Sequence, residues 1–352
     1  MKAAFWHGAR DVRVVDVPEP QVQPGKVKIR VAWCGICGTD LHEYMAGPIF
    51  LSVEPHPLTK ECAPLILGHE FAGEVVEIGE GVTSVKVGDR VAVEPVLACG
   101  RCHACKSGRQ NHCEVIGCFG LNGGGGGFSE LTVVSEEMVH LLPDHITYEQ
   151  AALIEPTSVA LQAVRESSLK AGDSCAVFGT GPIGLLTILA AKAAGASPII
   201  AVEVSEQRRQ MALKLGASHA IDPTQTDAVQ KIRALTNGGA DVCFEVTGVE
   251  PGLLGAIESS RTGGQTVIVS VWEKPVTVSP NAIVLRERHL MGSFGYGKNI
   301  FPAVIRLIAE GRIQVDELIT KKIPLSDITE GGFEELARNK GHIKILVSPS
   351  AK

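Results

Sequence analysis

The sequence has no run of lysine and arginine long enough to line a phosphate-backbone groove, and its net charge is −6. Nucleic acid is therefore not an expected partner. Long hydrophobic runs are missing too. The most apolar stretch, Ile183 to Ala191, is about half the length of a membrane span and ends at Lys192, so no membrane crossing is expected. The first residues, Met1-Lys2-Ala3-Ala4-Phe5-Trp6, carry one charge and lack the apolar core of a signal peptide, and the chain reads as cytosolic. What remains is an ordinary globular composition, 45% hydrophobic and 20% charged over 352 residues, enough for a large core and two domains.

Against that background the ten cysteines stand out. In a reducing compartment they point to metal ligands or buried thiols rather than disulfides. Four of them, Cys99, Cys102, Cys105 and Cys113, crowd into one short segment. Cys-x-x-Cys steps let one turn present adjacent sulfurs to a single ion, and structural zinc takes four thiolates tetrahedrally. An iron–sulfur cluster uses similarly tight spacing but usually adds a proline after the last cysteine, where this chain has Glu114. A closed set of four leaves no open position, so this lobe, about residues 95–115, is expected to be a staple and not a reaction centre.

The texture up to about residue 150 is β: Val27–Trp33 alternates, and Glu74–Ile78 and Arg90–Val93 are β-branched runs bounded by glycine and aspartate. From Ala171 to about Gly295 strands and helices alternate. Ser174–Phe178, Pro198–Val202, Val242–Val246 and Thr266–Val269 are apolar runs, and Ile183–Ala194 and Glu206–Leu215 have helical period. That alternation predicts an α/β doubly wound parallel sheet. A helix near Phe301–Glu310 and a strand near Ile343–Val347 then return to the mixed texture. The expected layout is a β-rich domain over 1–156 resumed over 296–352, with the parallel-sheet domain 157–295 inserted. The glycines from Gly123 to Gly127 predict a tight irregular loop before the strand Phe128–Val134.

Gly179-Thr180-Gly181-Pro182-Ile183-Gly184 follows a strand run and opens a helix, which places a dinucleotide pyrophosphate at the helix N-terminus. Glu203, 24 residues after Gly179, ends the next strand run. A carboxylate there accepts hydrogen bonds from the ribose hydroxyls and repels a 2′-phosphate, favouring NAD over NADP. Arg208 is placed to pack beside the adenosine or approach a phosphate. Arg208 and Arg209 together could serve NADP, so the preference rests on Glu203. A second dispersed set comprises Cys37-Gly38-Thr39-Asp40-Leu41-His42, Gly68-His69-Glu70 and Glu155-Pro156. Singly these are weak: a lone histidine is more often a satisfied core residue, and Cys34 with Cys37 could be a bare redox pair. Together they offer sulfur, nitrogen and oxygen from distant segments, as catalytic zinc sites do.

With these motifs in this order along essentially the whole length, the chain resembles the zinc-containing medium-chain alcohol dehydrogenases, with their GroES-like β-rich catalytic domain and inserted Rossmann domain. The resemblance implies two zinc ions per chain and NAD. It makes Cys37 and His69 ligands of the catalytic zinc and Cys34 a core residue. Glu155 becomes the third ligand, where the classical branch has cysteine and the polyol and butanediol branch has glutamate. Glu70 lies behind the metal, able to reach it in some states, and Asp40 orients His69. Thr39 takes the substrate proton and His42 passes it to solvent through the cofactor ribose, as a group with an ordinary pKa of about 6.5 can. Val246, Ser270 and Phe294 fall near the nicotinamide. The segment Glu43–Pro64 is longer than in sorbitol dehydrogenases and resembles the butanediol dehydrogenase and acetoin reductase group, implying a small vicinal diol. A sorbitol- or L-iditol-type polyol is the alternative. Zinc-free quinone reductases of the same fold lack the ligand set and the cysteine lobe, and a non-catalytic relic would have lost one of Cys37, His69 or Thr39. Relatives of this kind assemble as dimers or tetramers, so a homo-oligomer is expected.

Overall fold

The computed structural model describes residues 1–350. They form two compact units, one built from Met1–Glu155 and the segment from Gly297 onward, the other from Pro156–Tyr296. Among the described residues no helix is long and apolar enough to cross a membrane.

The first unit is organised around the strand Lys26–Gly35. Its Val27, Ile29, Val31 and Cys34 are fully buried. It pairs antiparallel with Glu70–Ile78, with Leu131–Ser135 and, at its end, with Lys344–Ser348. The sequence suggested simple alternation here. Because the strand is interior, Lys28 is also buried, at 7% exposure, and its ammonium is paired with Glu77 at 2.5 Å. The Glu70–Ile78 strand continues the sheet to Arg90–Val93 and Val139–Leu141, and Lys344–Ser348 continues it in parallel to Ile319–Pro324.

Register matters most at Gly35. It stands opposite Glu70 on one side and Leu346 on the other. A Cβ on Gly35 would collide with the Glu70 carboxylate and press on the Lys344 side chain at 3.3 Å. Only glycine lets those two side chains meet at the end of this strand.

The glycine-rich loop is shaped by two different needs. Gly123, Gly124 and Gly125 have φ of +90°, +84° and +113°, the left-handed region that side chains rarely enter. Gly126 and Gly127 have no such φ but lie where a Cβ would strike the Leu67 carbonyl or, at 2.7 Å, the Cys34 sulfur.

The second unit is a six-stranded parallel sheet in the order His219–Ile221, Ile199–Val202, Cys175–Phe178, Ala240–Glu245, Ser260–Ile268, His289–Gly292. Its order reverses beside Cys175–Phe178, the switch point at which open α/β sheets bind nucleotides. The four-residue strand Cys175–Phe178 is buried throughout, as a strand covered on both faces must be. The helix Glu206–Leu215 ends at Gly216, whose φ of +125° suits glycine alone.

Candidate active site

The helix Gly38–Ala46 begins at Cys37, whose backbone N–H donates to the Asp40 carboxylate at 2.9 Å. Its thiol lies 3.7 Å from Thr39 Oγ1. Asp40 is fully buried and its other oxygen stands 3.5 Å from His69 Nδ1. Neither of those two atoms has a hydrogen-bond partner, although both are buried. Burial works against a charge on His69, but the neighbouring Asp40, Cys118 and Cys37 outweigh it and hold the imidazole well above its ordinary pKa. A positive charge is wanted at this place, and a metal cation there would displace the proton.

Glu70 follows His69 and is fully buried, with both carboxylate oxygens on Lys344 Nζ at 2.8 and 2.6 Å. Lys344 Nζ also donates to the Ile36 carbonyl at 3.1 Å. Burial opposes the lysine charge, yet Glu70, Cys37 and Glu155 keep its pKa raised. Donor atoms of Cys37, His69 and Glu70 converge within 4.8 Å of one another. Glu155 is outside that convergent trio. It sits in the first turn of the helix Ile154–Glu166, half-buried, close enough for its charge to reach Cys118 and Lys344. Cys118, absent from the sequence reading, is thus a neighbour of the set, with burial pushing its thiol up to about 12. Thr39 is half-buried and His42, three residues on along the same helical face, is exposed.

In the cysteine lobe all four sulfurs lie within 4.8 Å of one another, with Cys99 and Cys105 at 4.0 Å, twice a disulfide bond length. Backbone N–H groups at Arg101 and Cys102 hold the Cys99 thiol down to about 6, and a thiolate is the form that binds a metal. Four convergent sulfurs fit zinc, and the converging donors of Cys37, His69 and Glu70 fit a second.

In the second unit a cavity of about 670 Å³ opens at the ends of the strands, walled by Gly179, Glu203, Arg208, Val246 and Thr247 among others. Gly179 has φ +89°, Gly181 caps the helix Pro182–Ala193, and Gly184 comes so close to the Gly179 carbonyl that a Cβ would collide with it. Glu203 accepts from the Thr180 N–H at 2.9 Å and the Ser205 N–H at 3.0 Å. Arg208 Nε is buried without a partner, whereas Arg209 is occupied by Asp222 at 3.0 Å, by Glu206 and by two backbone carbonyls. An unpartnered guanidinium nitrogen in the wall and a glycine cradle fit a dinucleotide. Ser270 and Phe294 are not among the walls. Ser270 Oγ donates to the buried Glu245, and Phe294 is 51% exposed.

Sequence reasoning passed over Lys344, Glu245 and Glu43. For the first two a signal was present: each is a single charge inside or ending an apolar strand run.

Comparison with known proteins agrees with this chemistry. An alcohol dehydrogenase GroES-like domain matches residues 23–144 and a zinc-binding dehydrogenase region matches 182–310. The (R,R)-butanediol dehydrogenase of Bacillus subtilis is 56% identical over 352 residues, covering 99% of this chain and 100% of that protein. The sorbitol dehydrogenase of the same organism is 37% identical over 353 residues, covering 99% and 98%. The crystal structure of 2R,3R-butanediol dehydrogenase from Bacillus subtilis aligns with a TM-score of 0.95 at 56% identity over 99% of both chains. The chain belongs to the zinc-binding alcohol dehydrogenase family, with a GroES-like domain and a Rossmann domain, and it is a zinc-dependent alcohol dehydrogenase.

Proposed function

We propose that this enzyme interconverts (R,R)-2,3-butanediol and acetoin with NAD(H), using one structural and one catalytic zinc per chain. The observation that carries this is the convergence of Cys37, His69 and Glu70 in a chain 56% identical throughout to a butanediol dehydrogenase.

The lobe of Cys99, Cys102, Cys105 and Cys113 would hold the structural ion. Cys37 and His69 would hold the catalytic one, with Glu155 as third ligand. Glu70 already has both oxygens on Lys344, so binding a metal would mean sharing them, and this supports its place behind the metal. Zinc, when bound, polarises the alcohol oxygen and favours loss of its proton near neutral pH. NAD, held at the glycine cradle and Glu203, would supply the acceptor for the hydride of the carbinol carbon. The protein's own part is placement and proton transfer. Asp40 fixes the ring of His69 from behind. Thr39 accepts the hydroxyl proton while passing its own on, and His42, exposed one turn further along the helix, releases it to water. Glu70 and Lys344 cancel one another's charge, so a thiolate and one more carboxylate balance the dication. The helix at Pro182 would take the pyrophosphate of either dinucleotide, and Glu203 would favour NAD over NADP. Val246 walls the cofactor cavity, and Ser270 and Phe294 are assigned to the nicotinamide end by resemblance.

A homo-oligomer fits the sheet, whose edge strand His289–Gly292 follows the exposed Val284 and Leu285. The deciding experiment compares kcat/KM for the butanediol stereoisomers, sorbitol and 2-butanol with NAD. A preference for sorbitol would overturn the diol assignment and leave the zinc dehydrogenase chemistry standing.

A further inference from the structure

The peptide at Phe50 is gripped from both sides. Glu43 lies one residue beyond His42 on the helix Gly38–Ala46 and is fully buried. Its carboxylate accepts three successive backbone N–H groups: Ile49 at 2.9 Å, Phe50, and Leu51 at 3.1 Å. A buried carboxylate is tolerated only when its lone pairs are satisfied, and here one irregular segment satisfies them. Gly47 makes the arrangement possible, since a Cβ there would collide with the carboxylate. On the other side Asn122 Nδ2 donates to the Phe50 carbonyl and to Ser52 Oγ, both at 2.9 Å. Asn122 Oδ1 in turn accepts the Cys118 N–H at 2.8 Å.

A backbone fixed this firmly ordinarily serves to bury side chains. Leu51 obeys and is 5% exposed, but Ile49 and Phe50 remain 47% and 41% exposed. Val53 on the same loop is 54% exposed as well, so three apolar side chains stand open together on one held loop, and loops carry binding residues disproportionately. Both grips also begin at the reaction centre. Glu43 rides on the helix that Cys37 caps and that carries Thr39 and His42. Cys118, bonded to Asn122, is close enough to His69 and Cys37 to feel their charge.

We infer that Glu43 and Asn122 are positioning residues that hold Phe50 as a selectivity determinant, its ring meeting an apolar end of a short diol. The inference deepens the diol reading above and rests on it. A longer, hydroxyl-rich polyol would bring groups that the ring cannot pair, a mismatch worth about ten- to a hundredfold in an apolar pocket.

The test uses the full-length zinc-loaded enzyme and the variants Glu43→Gln, Asn122→Ala, Phe50→Ala and Glu43→Gln with Phe50→Ala. Each single variant is expected to raise KM for (R,R)-2,3-butanediol about tenfold with a smaller change in kcat, and to narrow the diol-to-sorbitol ratio of kcat/KM by a similar factor. Zinc content and the NADH dissociation constant stay unchanged. The double variant is no less selective than Phe50→Ala alone, because both grips act through that ring. A ratio untouched by Phe50→Ala overturns the inference. So does a loss in Glu43→Gln and Asn122→Ala that tracks melting temperature or zinc content while the ratio holds. Wild-type enzyme preferring sorbitol overturns the diol reading instead, and the grip is then judged on the same ratio in the opposite sense.

Discussion

Cys37 and Cys102 are the same residue type in different settings, one in a mixed donor set and the other among four converging sulfurs. Cys37→Ser should keep the melting temperature and NADH affinity and lose turnover by about a thousandfold or more, since the lost polarisation is worth several kcal/mol. Cys102→Ser should instead lower the melting temperature first. Circular dichroism melts beside turnover numbers separate the two. Among the carboxylates, with Glu155 as the ligand proposed above, Glu155→Gln should lose zinc on dialysis faster than Glu70→Gln, whose carboxylate is already held by Lys344. The reverse order would promote Glu70. Glu203→Ala should weaken NAD and narrow its advantage over NADP about tenfold or more by removing both an acceptor and a repulsive charge. A wild type that already prefers NADP would refute that role. The convergence of the four cysteines and the place of Glu203 in the cavity wall were readable in the sequence because their signals are local: a spacing, or a distance from a glycine motif. Lys344 and Glu43 were not, because each takes its meaning from a segment that only the fold supplies, Lys344 being 274 residues from the Glu70 it neutralises.

Strands and helices were legible to the extent that their pattern was undiluted. The helix Glu206–Leu215 was readable because charged faces and a closing Gly216 mark it. The helix Glu250–Ser259 escaped because Pro251, Gly252 and Gly255 break its pattern. Those glycines are there for contact: a Cβ on Gly252 would collide with Thr247, and one on Gly255 would stand 2.9 Å from Phe178. Strand pairing at Gly35 was equally hidden, since no local feature says that Glu70 and Lys344–Ser348 flank it. Gly35→Ala is expected to destabilise the protein by about 1–3 kcal/mol through overpacking and to disturb the Glu70–Lys344 pair. Zinc retention should fall along with the melting temperature. A variant that melts like wild type and keeps its zinc would show that the side chains find another way past.

At the scale of the whole molecule, the two-unit division follows from a parallel sheet inserted within a β-rich unit, which the change in sequence texture conveys. The unit Pro156–Tyr296 is contiguous, whereas the other is completed only by the segment from Gly297 onward. Lys344–Ser348 is an interior strand of its sheet, between Lys26–Gly35 and Ile319–Pro324, and it delivers the lysine that neutralises Glu70. During synthesis the chain therefore carries Cys37, His69 and Glu70 long before their electrostatic partner exists. Domains fold as units as they emerge, so a ribosome-stalled chain ending shortly after Tyr296 should already resist protease across 156–296 and bind NADH, while 1–155 stays open to cleavage. Protection of both regions at that length would contradict this order. On this order the catalytic half of the enzyme would mature last, and the nascent protein would acquire its cofactor cradle before it could oxidise anything.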